Sequence, residues 1–135
     1  MSYGVAAALQ AAIYQRLTAD SALDALINGA IYDAAPPGNP GGTYVSIGPE
    51  TARDASDQIG RGAFHDFTVS VISDAAGFQT SKAVAAAVSD ALTGATLILA
   101  RGRLVGLWFQ RARAKRVEVA DVRRIDLFFT ARVED

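Results

Sequence analysis

The 135-residue chain contains no cysteine and a single histidine. Without cysteine there are no disulfide bonds, no thiolate nucleophile and no cysteine-ligated metal. A serine nucleophile would need the one histidine, His65, as its base, and no G-x-S-x-G stretch is present. Because adjacent strand residues point to opposite faces, His65 and Asp66 cannot form a dyad within one strand. We therefore predict that His65 is an ordinary surface residue and that the protein is not an enzyme.

Long apolar runs and the motifs of metal and phosphate sites are also missing. The uncharged run at residues 2–15 is shorter than the roughly 20 residues needed to span a bilayer, and no basic segment precedes it as in a signal peptide. The acids Asp54, Asp57 and Asp66 lack EF-hand spacing. The glycines of residues 38–42 lack the lysine and the order of a phosphate-binding loop. We expect no cofactor, no metal, no membrane partner and a protein that stays in solution.

The charges that are present are divided unevenly along the chain. Residues 1–100 carry four basic and nine acidic residues, whereas residues 101–135 carry nine basic and five acidic ones. The two parts therefore have net charges of −5 and +4. Such asymmetry is typical of a nucleic-acid-binding face or of two complementary surfaces on a self-assembling subunit.

The apolar periodicity predicts two main helices. In residues 4–17 the large apolar side chains recur at every fourth position, and residues 78–93 repeat this pattern. A short helical turn is predicted between them, from Asp20 to Leu26, and Asn28 with Gly29 would end it.

Alternation of apolar and polar residues predicts the strands. The last one is the clearest, because Ile125, Leu127 and Phe129 all point the same way. One buried and one wet face is typical of an antiparallel sheet covered on one side. We therefore predict an α+β fold, with two main α-helices packed on one face of an antiparallel β-sheet, in a single domain spanning residues 1–135. The predicted strands are 31–34, 43–48, 64–73, 96–100, 103–113 and 119–133.

A segment without apolar periodicity, PETARDASDQIGRGA at residues 49–63, is predicted to be a long loop. Most connections in compact domains have about 4–6 residues, and longer ones tend to be functional or disordered. The segment carries charges of both signs and no reactive group, so we expect it to contact a neighbouring subunit. The candidate contact residues are Glu50, Arg53, Asp54, Asp57 and Arg61.

The most basic stretch is RARAKR, residues 111–116. We predict that one strand reverses into the next here, with Arg123 and Arg124 lying across from it. Alternation would place Arg111 and Arg113 on one side of the strand, as in a ladder of phosphate contacts. Few aromatic residues are interleaved to stack on bases. A solvated hairpin tip and a basic surface that meets an acidic neighbour remain alternatives.

Trp108 is the only tryptophan of the chain. In the strand predicted at 103–113 it lies on the face opposite Val105, Leu107 and Phe109. A large aromatic side chain on the wet side of a sheet indicates a further packing partner. Another subunit is one such partner, and a loop or the last strand is another. Trp108 therefore joins the candidate inter-subunit contacts.

Several short motifs in a fixed order carry a resemblance to a known family. They are LQAAIYQRL at residues 9–17, ALI at 25–27, IYDAAP at 31–36 and YVSIG at 44–48, followed by FTVSVISDAAGFQTSKAVAAAVSDAL. With these motifs the chain resembles the tail-terminator (tail-completion) proteins of long-tailed phages and phage-derived gene transfer agents. The resemblance covers about residues 8–133.

The resemblance implies structural work, with no reaction and no cofactor. Such proteins form a ring, usually a hexamer, that docks on the finished tail tube, halts its polymerisation and presents a surface to the head–tail connector. DNA passes through the hole without sequence-specific binding. The implied partners are further copies of the chain, the tube protein and the connector. Assembly would take place in the host bacterial cytoplasm, and the product would be part of the virion.

In such a ring the basic side chains would line the neck or the channel. The candidates for this role are Arg111, Arg113, Lys115, Arg116, Arg123 and Arg124. The alternative is a small DNA-binding accessory domain that uses the basic hairpin at residues 111–124.

Overall fold

The computed structural model describes residues 2–33, 36, 38, 40–55 and 62–135. These residues form an α+β fold, as predicted, and none of their helices is long and apolar enough to span a membrane. The elements in chain order are α1 (Ala6–Thr18), α2 (Ser21–Ile27), β1 (Ile31–Tyr32), β2 (Thr43–Asp54), β3 (Gly62–Ser73), α3 (Gln79–Leu92), β4 (Arg103–Val117) and β5 (Val122–Glu134).

The helices follow the sequence signals closely. Both predicted main helices are present as α1 and α3. Asp20 begins α2 by accepting a hydrogen bond from the backbone N–H of Leu23 at 2.9 Å, and Asn28 ends it in the left-handed conformation. These are the ordinary roles of Asp at a helix start and Asn at a helix end.

The five strands form one sheet in the order β1-β2-β3-β5-β4. The pairs β2–β3, β3–β5 and β4–β5 are antiparallel, whereas β1 runs parallel to β2. The prediction of an antiparallel sheet was therefore wrong for β1, and the sheet is mixed. Strand β1 has two residues, too few for an alternating pattern that would indicate its direction.

The hydrophobic core joins the buried sides of the helices to one set of alternating strand positions. We call this side of the sheet the core face and the other side the outer face. Phe67 on β3 stacks on Phe129 on β5, with ring centroids 5.5 Å apart. Members of the core cluster include Leu9, Ile13, Leu17, Val84, Val88, Leu92, Val69, Val71, Ile125 and Leu127.

The loop predicted at residues 49–63 is mostly a β-hairpin. Strand β2 continues to Asp54 and β3 begins at Gly62, and Ala55 N–H donates to the carbonyl of Gly62 at 3.1 Å. The β2–β3 register shifts between Ile47 and Glu50. This bulge interrupts the alternation from which a strand is recognised, so the sequence looked irregular. Residues 56–61 lie outside the described residues.

The remaining strand predictions need three corrections. Residues 96–100 form no strand. Their apolar side chains Leu97 and Leu99 pack on the core directly, without pairing to a strand. Strand β4 is longer than predicted and includes all of residues 111–116. Strand β1 has only two residues, and Ala34, at the end of the predicted strand, lies outside the described residues.

Candidate assembly surfaces

The outer half of the β2–β3 hairpin, residues 49–55 and 62–66, is here called the arm. Its root is tied to the N-terminus, because the Tyr3 hydroxyl donates to Glu50 Oε1 at 2.6 Å. This hydrogen bond to a carboxylate raises the pKa of Tyr3, since a phenolate would be repelled there. The Glu50 side chain is 15% exposed, so most of it is covered within its own subunit.

His65 lies beside Glu50 and is fully buried, so the prediction of a surface histidine was wrong. It is on the core face between Ala52 and Ala131, whose small side chains leave room for the imidazole. The ring of Tyr3 stacks on it, with centroids 6.0 Å apart. Nδ1 lies 3.3 Å from Glu50 Oε2, yet neither ring nitrogen has a hydrogen-bond partner within the described residues.

On the outer face of the arm, Arg53 is held by Asp66. Arg53 Nε donates to Asp66 Oδ2 at 2.8 Å, and the guanidinium lies over the ring of Phe64. The hydroxyl of Thr130 donates to the other carboxylate oxygen at 2.7 Å. These bonds, the one from Arg53 first, lower the pKa of Asp66 because they stabilise its charged form. Arg53 is thus already paired, although about half of its side chain is exposed.

The three predicted arm contacts that the structure describes do not form one cluster. Glu50 lies on the core face and Arg53 on the outer face, while Asp54 ends β2 opposite Ala63. Asp57 and Arg61 lie outside the described residues. The assignment of these residues to an inter-subunit contact stays a prediction.

Strand β4 is the edge strand at the other end of the sheet, and every residue from Trp108 to Arg116 is exposed. Its register with β5 shifts between Leu104 and Gly106 and again after Phe109. The first bulge leaves Val105 without a register partner, whereas Leu107 and Phe109 lie together on the core face, as predicted. Only Leu107 is buried, and the other two are about two-fifths exposed.

Trp108 lies on β4 opposite Thr130 and is 46% exposed. Part of the ring covers Gly106, since a Cβ at that position would come within 2.4 Å of a ring carbon. The rest of the ring is open to a partner. The glycine that makes room for Trp108 is a signal that the sequence analysis missed.

The basic residues share one hairpin, but only some have acidic partners. Register places Lys115 opposite Arg124 and Arg116 opposite Arg123, as predicted. Asp121 in the turn accepts hydrogen bonds from Arg116 at 2.9 Å and Arg123 at 3.4 Å, and these lower its pKa, the bond from Arg116 most.

A row of cations without acidic partners remains on the outer side of β4. Asp126 lies opposite Arg113, but its Oδ1 forms an ion pair with Arg124 Nε at 2.9 Å. Arg113 and Lys115 make no ion pair within the part of the chain that the structure describes. Arg111 lies 4.0 Å from the ring centre of Phe128, a cation–π contact that leaves its charge uncompensated. The arrangement can attract an anion, and it offers no nucleophile or general base.

Comparisons with known proteins give one family match and one similar solved structure. The profile of the family described as Tail completion protein gp17 matches residues 11–134. Among solved structures, the chain is similar to a chain of "Virion of native gene transfer agent (GTA) particle", with 69% identity and a TM-score of 0.92. That match covers 99% of this chain and 100% of the other. No curated protein gave a significant match.

Proposed function

Because the chain belongs to the tail completion protein family, we propose that it forms a ring that caps the tail tube of a phage-like particle. It is a structural tail protein and not an enzyme. The ring, a hexamer, stops tube polymerisation and connects the tail to the head or neck, leaving a channel for DNA. The observation that carries the proposal is the family match, supported by 69% identity to a chain of a gene transfer agent virion.

The partners follow from this role. They are further copies of the chain, the tail tube protein and the head–tail connector, and DNA passes through the lumen without sequence-specific contacts. Subunits assemble in the cytoplasm of the host bacterium and end in the tail or neck of the particle.

The edge strand β4 supports a role in assembly. Long exposed edge strands are usually paired or covered, because their free backbone groups invite another strand. Here nine successive residues of β4 are exposed, and Trp108 stands at one end of them. We assign Trp108 and the arm residues Glu50, Arg53, Asp54, Asp57 and Arg61 to contacts with the next subunit or the tube.

The unpaired cations of β4 suit the neck or the channel. Arg111, Arg113 and Lys115 give one side of the strand a positive charge without specific geometry for bases. Arg124 lies on the same side of the hairpin, and Arg116 and Arg123 on its other side are assigned to the same role. Acids partly balance the charges of these three residues. Such a surface attracts a polyanion at low salt and releases it at high salt.

A capping assay tests the function. Purified tail tube protein is polymerised with and without this protein, and tube lengths are measured by electron microscopy. We expect tubes that stop growing and carry a ring at one end. Tubes that grow equally long in both samples would refute the proposal.

A DNA-binding accessory domain is the second candidate, and the unpaired Arg113 and Lys115 favour it. Filter binding with duplex DNA separates the two functions. Submicromolar binding at physiological salt would favour this second function, because non-specific contacts give dissociation constants of only about 10⁻⁴–10⁻⁶ M there.

A further inference from the structure

An apolar groove lies between α3 and the exposed half of β4. Its volume is about 300 Å³. The walls carry small side chains, with Ala85 and Ala86 on α3 and Ala112 and Ala114 on β4. Lys82 also lines the groove, and none of the described residues that line it is acidic. The groove is thus apolar inside and positively charged at one side.

A stripe of opposite character runs along α1. Gln10 and Tyr14, four residues apart, lie on one side of the helix, and Tyr3, which precedes it, lies beside Gln10. The two tyrosines are 62% and 36% exposed. Carboxylates flank the stripe, because Glu50 binds the Tyr3 hydroxyl and Asp33 accepts a hydrogen bond from Gln10 Nε2 at 2.7 Å. None of these residues is basic. The stripe therefore presents aromatic side chains with a negatively charged border.

The two surfaces belong to opposite edges of the sheet. Glu50 is on β2 and Asp33 follows β1, whereas the groove borders β4. In the order β1-β2-β3-β5-β4, the outer strands are separated by about 19 Å, at roughly 4.8 Å per strand. Complementary surfaces this far apart on one subunit join two subunits head to tail, and such a contact gives a ring when the rotation between subunits closes.

We propose that the α1 stripe of one subunit docks in the α3–β4 groove of the next. This inference rests on the proposed self-assembly and names the two surfaces that meet. Aromatic side chains then fill a groove lined by alanines, and the carboxylates of Asp33 and Glu50 approach Lys82. An apolar centre with a charged border is the usual construction of a specific interface, and the opposite charges speed the encounter.

Two substitutions block the two surfaces separately. Ala7→Arg puts a cation in the α1 stripe, where it would face Lys82, and Ala114→Trp fills the groove. Both positions are exposed, so we expect each variant to fold, and far-ultraviolet circular dichroism checks this before assembly is measured. Each variant alone should raise the protein concentration at half-assembly by about tenfold or more. Overpacking and like-charge contacts at an interface each weaken association by about this factor.

Mixing the two variants gives the sharpest readout. Each variant keeps one intact surface, so an equimolar mixture should form heterodimers and no larger species in sedimentation velocity. The matched controls are Gln15→Arg, on the side of α1 that faces Ile98, and Val119→Trp in the exposed β4–β5 turn, and both should assemble like wild type.

The outcomes separate the contact from the function. If Ala7→Arg or Ala114→Trp assembles like wild type, or if the mixture stays monomeric, the proposed contact is wrong while the ring stands. The contact is also wrong if the two variants form rings but no longer bind tubes, since the surfaces then face the tube. A wild-type protein that stays monomeric both free and on tubes overturns the ring itself.

Discussion

Trp108 should become buried when the protein assembles. Its substitution should weaken assembly by more than any loss of folded protein explains. The side chain is 46% exposed in the subunit. With about 250 Å² for a tryptophan, about 115 Å² remains to be covered by a partner. At about 25 cal/mol per Å², complete burial contributes up to about 2.9 kcal/mol per contact. Trp108→Ala should therefore lower the association constant by up to about a hundredfold.

The wild-type protein supplies its own probe, because it has no other tryptophan. We expect the emission maximum to move to shorter wavelength, and acrylamide quenching to fall, as the protein concentration passes the assembly midpoint. The variant is first tested by urea unfolding, so that assembly is compared at equal concentrations of folded protein. Trp108→Phe is the matched control, since it keeps most of the apolar area. Unchanged emission on assembly, together with normal assembly of Trp108→Ala, would refute the reasoning.

Three further predictions concern the arm and the basic strand. The pKa of Asp66 is lowered in the folded state, so its carboxylate stabilises the fold above its unfolded pKa of about 3.9 and loses this effect as the pH falls further. In urea unfolding, Asp66→Asn should therefore lose less stability than wild type as the pH falls below about 4. An equally steep loss would contradict the pairing with Arg53. The double variant Arg113→Gln/Lys115→Gln should bind duplex DNA more weakly in filter binding from 50 to 200 mM salt. The slope of log binding constant against log salt concentration should be shallower by about 2. An unchanged slope would mean that neither cation contacts a phosphate. Replacing residues 56–61 by Asn-Gly should close the hairpin with a two-residue turn and leave the far-ultraviolet circular dichroism unchanged while abolishing capping of tail tubes. Normal capping would show that residues 56–61 are not needed for the interface.

Much of the fold could be predicted because its signals are local. The buried apolar positions of α1 and α3 and the alternation of β5 each reflect packing on one side of the element. Periodicity alone therefore reveals them. The cap of α2 is equally local, since Asp20 binds a backbone N–H only three residues away. These elements are present with nearly the predicted bounds.

The arm and the burial of His65 could not be predicted because they depend on distant residues. A bulge between Ile47 and Glu50 hides the continuation of β2, and pairing with β3 keeps it extended. His65 is buried because Tyr3, more than 60 residues away, covers it. In contrast, its place on the core face could have been read from the odd-numbered positions of β3.

The basic surface was predicted in composition but not in charge balance. The sequence indicated six cations on one hairpin, and register confirms that Arg123 and Arg124 lie across from residues 115 and 116. Which cations are paired depends on Asp121 and Asp126, whose partners are fixed only by the folded hairpin. The α3–β4 groove was missed for the same reason, since its two walls are separate in the sequence.

The most direct test of the proposed ring is the mass of the protein in solution and on tail tubes. Light scattering of the purified protein, followed by negative-stain images of capped tubes, measures both. The account predicts a species of about six times the 14.1 kDa subunit mass, with a central hole, either free or at the tube end. A particle of 14.1 kDa that stays monomeric in both conditions would contradict it.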